Sequence, residues 1–232
     1  MLLLSASSIP KNERVQIGHN TADLAYPGTI KVMDELEART LAELQGIIAV
    51  LQELTGLPSR WSGRVELVPG ADFKGKKRFT CDIQIDAALA ERDARWPTLI
   101  HEALHSLSVG YVGTDYRAFR GWEEGVVEQL QRLLRPLVLV KLDVVTAAGA
   151  FRDSERPYGV FIEALETLRR HLEAPVGGDG ATEFYVDLLK HPIRERPGVV
   201  LAAGYQLPVA RRVLFMQAFS AANAVLTRNV MP

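Results

Sequence analysis

The sequence predicts an α+β fold in which a small sheet in the N-terminal half precedes a mainly helical C-terminal half. Apolar residues between about positions 29 and 54 recur every three to five residues, as on one face of a long helix. Residues 63–86 change to the alternating pattern of strands, and helical spacing returns from residue 96 onwards. This order of elements indicates an antiparallel or mixed sheet.

Two strands are predicted within this alternating region. Arg64–Val68 is a short apolar and charged run that ends at a Pro-Gly pair. Phe79–Asp86 alternates apolar with polar residues, which is typical of a half-buried strand. The basic run Lys74–Arg78 lies between them, and we interpret it as a solvated hairpin loop.

The remaining chain is predicted to be helical apart from short glycine- and proline-containing loops. The candidate helices cover roughly residues 96–109, 121–135, 136–149, 158–173, 180–190 and 208–228. We expect a single domain over residues 1–232, with an N-terminal subdomain (1–109) and a helical C-terminal subdomain (110–232). Residues 1–22 have no regular pattern.

Composition excludes several classes of protein. The formal net charge is -1 and aromatic residues make up 7%, so neither a basic surface nor stacking platforms for nucleic acid are expected. The apolar start lacks a basic leading segment, and charged residues interrupt every later apolar run. We therefore expect a cytoplasmic protein without a nucleic-acid or membrane partner. Nothing in the sequence indicates the oligomeric state.

One motif carries a specific chemical signal, His101-Glu102-x-x-His105, inside the helix predicted from residue 96. Residues four apart lie nearly above one another on a helix, because four steps exceed one turn by only about 40°. Two imidazoles at this spacing can therefore reach one metal ion. Glu102 lies further round the axis, where its carboxylate can act on a water beside the metal without being a ligand.

A catalytic zinc site needs a third protein ligand and an open fourth position. The next predicted helix carries Glu124 and Glu128, four residues apart on a face separate from its apolar stripe. Two carboxylates so close repel each other unless positive charge lies nearby. A metal ion bound to one of them, with a ligating histidine bonded to the other, supplies that charge.

These residues resemble the gluzincin metallopeptidases, typified by thermolysin, in which zinc lies between an HExxH helix and a following glutamate helix. His101, Glu102 and His105 match the first motif completely. Glu124, in Trp-Glu-Glu-Gly, matches the third zinc ligand, and Glu128 matches the acid that orients a zinc-bound histidine.

The resemblance covers only about residues 97–130. Glu123 stands where Asn is common, and of the two adjacent carboxylates we expect Glu124 to bind because it precedes Gly125 and pairs with Glu128. The compact size is similar to that of the minimal members called minigluzincins, and it implies a zincin-like fold. No glycine and third histidine follow His105, so the metzincins are disfavoured.

The resemblance implies Zn²⁺-dependent hydrolysis of a peptide or protein substrate, with His101, His105 and Glu124 as ligands and Glu102 as general base. We expect an endopeptidase. An extended substrate would add as a strand along the predicted strand that contains Cys81, Asp82, Ile83 and Gln84. We interpret Cys81 otherwise as a small buried apolar residue.

An oxyanion-stabilising group is also required. The sequence offers the candidates Tyr158, His171, Tyr185, His191 and Tyr205. Tyr205 lies in a turn-like Gly-Tyr-Gln setting that can place it at a cleft, and it is our candidate.

Three other interpretations stay open at this point. The chain can be a zinc hydrolase of a non-peptide amide or ester. It can be a non-catalytic interaction protein with a structural metal, which predicts a fourth protein ligand. It can also be a latent peptidase whose cleft is blocked by residues 1–22 or by the last helix.

Overall fold

The computed structural model describes residues 27–147, 149–151, 158–172 and 180–227. It confirms the α+β class, with a three-stranded mixed sheet in the N-terminal half and helices over most of the rest. In chain order the elements are α1 (Pro27–Thr55), β1 (Val65–Val68), β2 (Gly75–Lys77), β3 (Ile83–Asp86), α2 (Ala87–Ala90), α3 (Arg95–Leu107), α4 (Gly113–Ala118), α5 (Arg120–Lys141), α6 (Gly159–Leu172), α7 (Gly180–Leu189), α8 (Arg196–Tyr205) and α9 (Val209–Leu226). The division into two subdomains stays a prediction, and residues 1–22 lie outside the described ranges.

The sheet has the order β1-β3-β2, with β1 parallel and β2 antiparallel to β3. The interpretation of Lys74–Arg78 as a hairpin loop was wrong, because its centre forms β2. A lysine-rich segment suits an edge strand, where exposed charges deter pairing with other chains. The predicted strand Phe79–Asp86 is correct only from Ile83, since Cys81 has a φ of 66° and closes a turn onto the Arg78 carbonyl.

The core forms around α3, whose residues Trp96–Leu107 are all buried. One side of α3 packs on α1, and β2 and α5 pack on other sides of it. Its apolar residues join the core, and the polar residues between them are buried as well. Buried polar groups must find partners within the protein, and this requirement sets the structure of the site described below.

Two of the helix predictions fail at prolines. The predicted helices 121–135 and 136–149 are one helix, α5, which continues through Pro136 to Lys141. Buried Val138 and Leu139 extend the apolar stripe beyond the proline, and this packing compensates for the lost backbone hydrogen bond. α8 was not among the predicted helices, and it follows a short 3-10 turn at Ile193–Glu195 with a proline in its first turn.

No helix among the described residues combines the length and the apolar character that crossing a membrane requires.

Gly75 allows β2 to lie directly against α3. A Cβ atom at this position would lie 2.4 Å from Thr98 Cγ2 and 3.0 Å from Glu102 Cγ. At these distances a Cβ atom would require a shift of the strand, of the helix or of the two side chains. The glycine therefore sets the distance between the edge strand and the HExxH helix.

We expect Gly75→Ala to lower the free energy of unfolding by about 1–3 kcal/mol, the usual cost of overpacking a core. Urea denaturation followed by circular dichroism measures it. Gly198→Ala is the matched control, because a Cβ there meets nothing within 4 Å. It should leave stability unchanged or raise it by up to about 1 kcal/mol, as alanine does in a helix. Equal effects of the two substitutions would contradict the proposed close contact.

Candidate metal centre

α3 and α5 bring three potential metal ligands together. His101, His105 and Glu124 are all buried, and one ligand atom from each lies within 4.8 Å of the others. His101 Nε2 is 3.2 Å from Glu124 Oε2 and 3.1 Å from His105 Nε2. His105 Nε2 is 3.6 Å from the same carboxylate oxygen. This group can hold a metal ion.

Each histidine is held by a carboxylate on its other ring nitrogen. His101 Nδ1 lies 3.0 Å from Glu128 Oε2, and His105 Nδ1 lies 2.7 Å from Glu123 Oε1. With Nδ1–H donated to a carboxylate, each Nε2 is left as the acceptor that a metal needs. Both rings are therefore oriented for one cation between them, and Glu128 occupies the supporting place expected from the sequence.

The ligand group is strongly coupled by charge. Burial disfavours the imidazolium of His101, but hydrogen bonds to Glu124 and Glu128 outweigh it and raise its pKa to about 10. The pKa of His105 is also raised, with Glu123 and Glu124 outweighing burial. Burial acts against ionised Glu124 too, yet the two histidines hold its carboxyl pKa well below the usual range. In the absence of a metal, protons on the histidines thus supply the positive charge that the carboxylates require.

Glu123 belongs to a buried network that reaches the C-terminal helices. Its Oε2 atom forms an ion pair of 2.7 Å with Arg196 Nη1 and accepts a hydrogen bond of 2.9 Å from Ser108 Oγ. Arg196 Nη2 donates to Ser108 Oγ at 2.6 Å, and neither Glu123 nor Arg196 is exposed at all. Sequence reasoning missed Arg196, because nothing in the local pattern shows that α8 returns to the HExxH helix.

Glu102 lies on the cleft side of α3 and is tied to the sheet. The Lys77 backbone N–H donates to its Oε2 atom at 2.6 Å. Its carboxylate is no member of the ligand group, as expected for a base and not for a ligand. This hydrogen bond fixes the rotamer of Glu102 and joins β2 to the site.

The ligand group opens into a cleft of about 700 Å³. Three tyrosines line it, and all three lie close to the histidines. The Tyr158 ring is stacked on His101 with centroids 5.7 Å apart, and the Tyr111 ring meets the edge of His105 at 5.5 Å. Tyr116 donates its hydroxyl to Glu124 Oε1. Tyr111 and Tyr116, which lie between α3 and α5, were not predicted, because glycines are the only recognisable sequence signal in that segment.

The structure separates the remaining candidate residues from this cleft. Tyr205 ends α8 with 50% of its surface exposed and does not line the cleft, so it is wrong as the oxyanion partner. Tyr185 is buried and donates to Glu166 at 2.8 Å. His171 and His191 are also absent from the cleft lining. Of the five candidates, only Tyr158 lies beside the ligand group.

The predicted substrate strand also needs correction. β3, which contains Ile83 and Gln84, is the central strand, and its two edges are occupied by β1 and β2. A substrate cannot add where both rows of backbone groups are already paired. Asp82 forms the turn before β3, where its side chain accepts from Ser62 and Thr80. Cys81 is partly exposed in this same turn and is not the buried apolar residue that we expected.

We expect Arg196→Met to cost about 3–5 kcal/mol of folding stability, because it leaves the Glu123 carboxylate buried without its partner. With Zn²⁺ as the probe ion, metal affinity should fall by about 10–100-fold as His105 loses its fixed orientation. Chemical denaturation and competition with a chromophoric chelator measure the two effects. The double variant Glu123→Gln/Arg196→Met removes both charges, and it should recover much of the stability but not the affinity.

Arg194→Met is the control for this prediction, since that side chain is 65% exposed and its ion pairs are 3.9 Å long. It should change stability by less than about 1 kcal/mol. Zinc affinity that is unchanged in folded Glu123→Gln and in the double variant would show that the network does not support the metal site.

The chain was also compared with known proteins. No protein-family model matches it, and neither a curated protein nor a solved structure gives a significant match. Inference about function therefore depends on the geometry of the site itself.

Proposed function

We propose that this protein is a zinc-dependent peptidase in which His101, His105 and Glu124 bind the metal and Glu102 is the general base. The observation that carries the proposal is the convergence of the three ligand atoms within 4.8 Å, with Glu102 beside them and outside the ligand set. The HExxH spacing and the resemblance to gluzincins agree with this arrangement. The chemistry of the donors supports zinc in particular.

Two imidazole nitrogens and one carboxylate oxygen are a donor set that zinc commonly takes in hydrolases, with a fourth position left open. No fourth His, Cys, Asp or Glu joins the group in the described part of the chain. The open side faces the cleft, because the cleft lining includes all three ligands. This favours a catalytic site over the closed, four-ligand site of a structural metal.

When bound, zinc would activate water for attack and polarise the scissile carbonyl. Glu102 accepts a proton from the attacking water and delivers it to the leaving amine. The Lys77 N–H holds one carboxylate oxygen at 2.6 Å, which leaves the other oxygen to exchange the proton. Glu128 and Glu123 accept the Nδ1 protons and keep both imidazoles in one tautomer.

A peptide substrate is favoured over a small amide by the free edge of β2. Lys76 pairs with Gln84 across the sheet, and the Arg78 N–H donates to the Asp82 carbonyl. By the alternation of an antiparallel ladder, the backbone groups of Gly75 and Lys77 point away from β3. The Lys77 N–H is engaged by Glu102, so an extended peptide would add as a fourth strand through the Gly75 N–H and C=O and the Lys77 C=O. The preferred site of strand addition thus moves from β3 to β2.

Tyr158 is the oxyanion partner in this proposal. Its ring is stacked on His101, and Arg120 bonds to its hydroxyl. Burial, followed by the charge of Glu124, raises the Tyr158 pKa, so the hydroxyl stays protonated and can donate. The Tyr116 hydroxyl is already engaged with Glu124.

Latency receives no support from the described residues. α9 contributes no residue to the cleft lining, so the last helix does not block the site. Residues 1–22, the other segment considered for this role, lie outside the described ranges.

Glu102→Gln should retain one zinc ion per chain and lose hydrolysis by about 10²-fold or more, because the proton acceptor is removed while every ligand remains. Elemental analysis and a casein or quenched-fluorescence peptide assay measure both quantities. His101→Ala should lose zinc and activity together, whereas His171→Ala should keep both. Hydrolysis by Glu102→Gln at the wild-type rate would rule out its role as base.

Tyr158→Phe should lower kcat by about 10²-fold and leave KM within about threefold, since an oxyanion donor acts mainly in the transition state. Steady-state kinetics separate the two constants. Tyr185→Phe is the matched control, because its hydroxyl bonds to Glu166 outside the cleft. An increase of KM alone in Tyr158→Phe would assign this hydroxyl to ground-state binding.

A further inference from the structure

The cleft beside the metal ligands is richer in positive charge than the chain as a whole. The protein has 27 Lys and Arg residues against 28 Asp and Glu residues. Five cationic side chains line the cleft, whereas Asp72, Glu102 and Glu124 are its acidic lining residues. In the proposed enzyme the metal neutralises Glu124, and Glu102 accepts and returns a proton. The other charged groups that line the cleft are then mostly positive. The cations are Lys74, Lys76, Lys77, Arg78 and Arg120.

Lys77 differs from the other lysines of this strand because it is buried. It is 6% exposed, and its side chain lies on the face of the sheet that it shares with Gly75, towards α3. Its ammonium lies 3.7 Å from the centroid of the Tyr111 ring, and that ring in turn meets His105. Lys77 therefore places its positive charge one aromatic ring away from the metal ligands.

The Lys77 ammonium is poorly satisfied by the protein. It has three donors, and its hydrogen bond to the Arg78 carbonyl is long, at 3.5 Å. Burial is the main cause that lowers the pKa of this amine, with the charge of Arg60 acting in the same direction. A buried cation without strong hydrogen bonds costs free energy that an incoming anion offsets.

Arg120 supplies a second cation near the histidine pair. It bonds to Tyr158, which is stacked on His101. Its Nε atom is buried and has no hydrogen-bond partner among the described residues, and it lies 4.0 Å from Glu124 Oε1. The ligand group thus has one under-satisfied cationic donor near each of its histidines.

We propose that the cleft selects substrates that carry a carboxylate within about one residue of the scissile bond, and that Lys77 is the residue that recognises it. This proposal depends on the peptidase function proposed above and names its substrate class. The carboxylate supplies the acceptor that the Lys77 ammonium lacks, in a setting where water is largely excluded and charge-assisted bonds are strong. It comes either from an acidic side chain or from the C-terminus of the peptide.

A compact carboxylate fits this site better than a nucleic-acid backbone does. Lys74, Lys76 and Arg78 are exposed at the rim, where solvent and salt screen them. The buried positive charge belongs to single side chains and not to a continuous stripe that could follow a row of phosphates. We therefore expect recognition of one anionic group at a fixed position.

The test uses the zinc-loaded full chain and matched peptides that carry Glu or Gln at each position next to the scissile bond, each with a free or amidated C-terminus. We expect kcat/KM to favour one carboxylate-bearing member by about tenfold or more, as for a hydrogen bond to a charged group. Lys77→Met should lower kcat/KM for the favoured peptide to that of its Gln or amidated counterpart, so that their ratio falls to about one whatever the common rate is. The position of the favoured carboxylate distinguishes a side chain from the C-terminus.

Lys76→Met is the matched control, since it removes the same charge from the exposed face of the same strand. It should keep the preference within about twofold. Equal hydrolysis of the Glu and Gln peptides, or a preference that survives Lys77→Met, would overturn the proposal. Stronger inhibition by a short oligodeoxythymidylate than by the Glu peptide would also overturn it, in favour of a nucleic-acid ligand.

Binding by fluorescence anisotropy to the zinc-loaded Glu102→Gln variant separates the two proposals. Preferential binding of the carboxylate-bearing peptide, without any hydrolysis by the wild type, would refute the peptidase function and retain the recognition by Lys77. Hydrolysis of the peptides without preferential binding or turnover of the carboxylate-bearing one would refute the recognition by Lys77 and retain the peptidase function.

Discussion

The structure of the site depends on the balance of charge around two buried imidazoles. Glu102, Glu123, Glu124 and Glu128 are each at most 6% exposed and surround the histidine pair. Four buried carboxylates would be strongly destabilising without compensating positive charge. The raised pKa values of both histidines help to meet this requirement, and Arg132 bonds to Glu128 at 3.1 Å. A divalent cation in place of the histidine protons would supply positive charge to the same carboxylates.

This balance links distant parts of the chain. Arg196 is 73 positions beyond Glu123 in the numbering of the sequence, yet the two form a fully buried ion pair of 2.7 Å. Glu123 is in turn bonded to His105, so α8 helps to fix the orientation of a potential metal ligand. The edge strand contributes from the other side, because Gly75 lets β2 approach α3 closely enough for the Lys77 N–H to reach Glu102. Stability and the geometry of the site therefore share the same contacts.

The residues that line the cleft come from different parts of the fold, and this bears on the proposed activity. β2 offers the outward backbone groups of its free edge and the buried ammonium of Lys77, which suit an extended peptide with an anionic group. Tyr158 and Arg120 suit the developing charge of a transition state. Binding and chemistry are therefore proposed for separate residues of the same cleft.

The sequence alone determined the fold class and the core of the candidate site. The HExxH spacing placed His101 and His105 on one helix face, and the Glu124–Glu128 spacing predicted a ligand and a supporting acid on the next helix. Helical periodicity fixes such relations locally, because residues four apart share a face whatever the rest of the chain does.

Only the tertiary structure decided which strand is the edge, which tyrosine lies beside the potential metal ligands and which cation neutralises Glu123. Strand order depends on pairing between segments, and Cys81–Gln84 was misassigned because alternation does not reveal which side of a strand is paired. Tyr205 was misassigned and Arg196 missed for a related reason. The position of α8 depends on long-range packing of helices, and no local pattern encodes it.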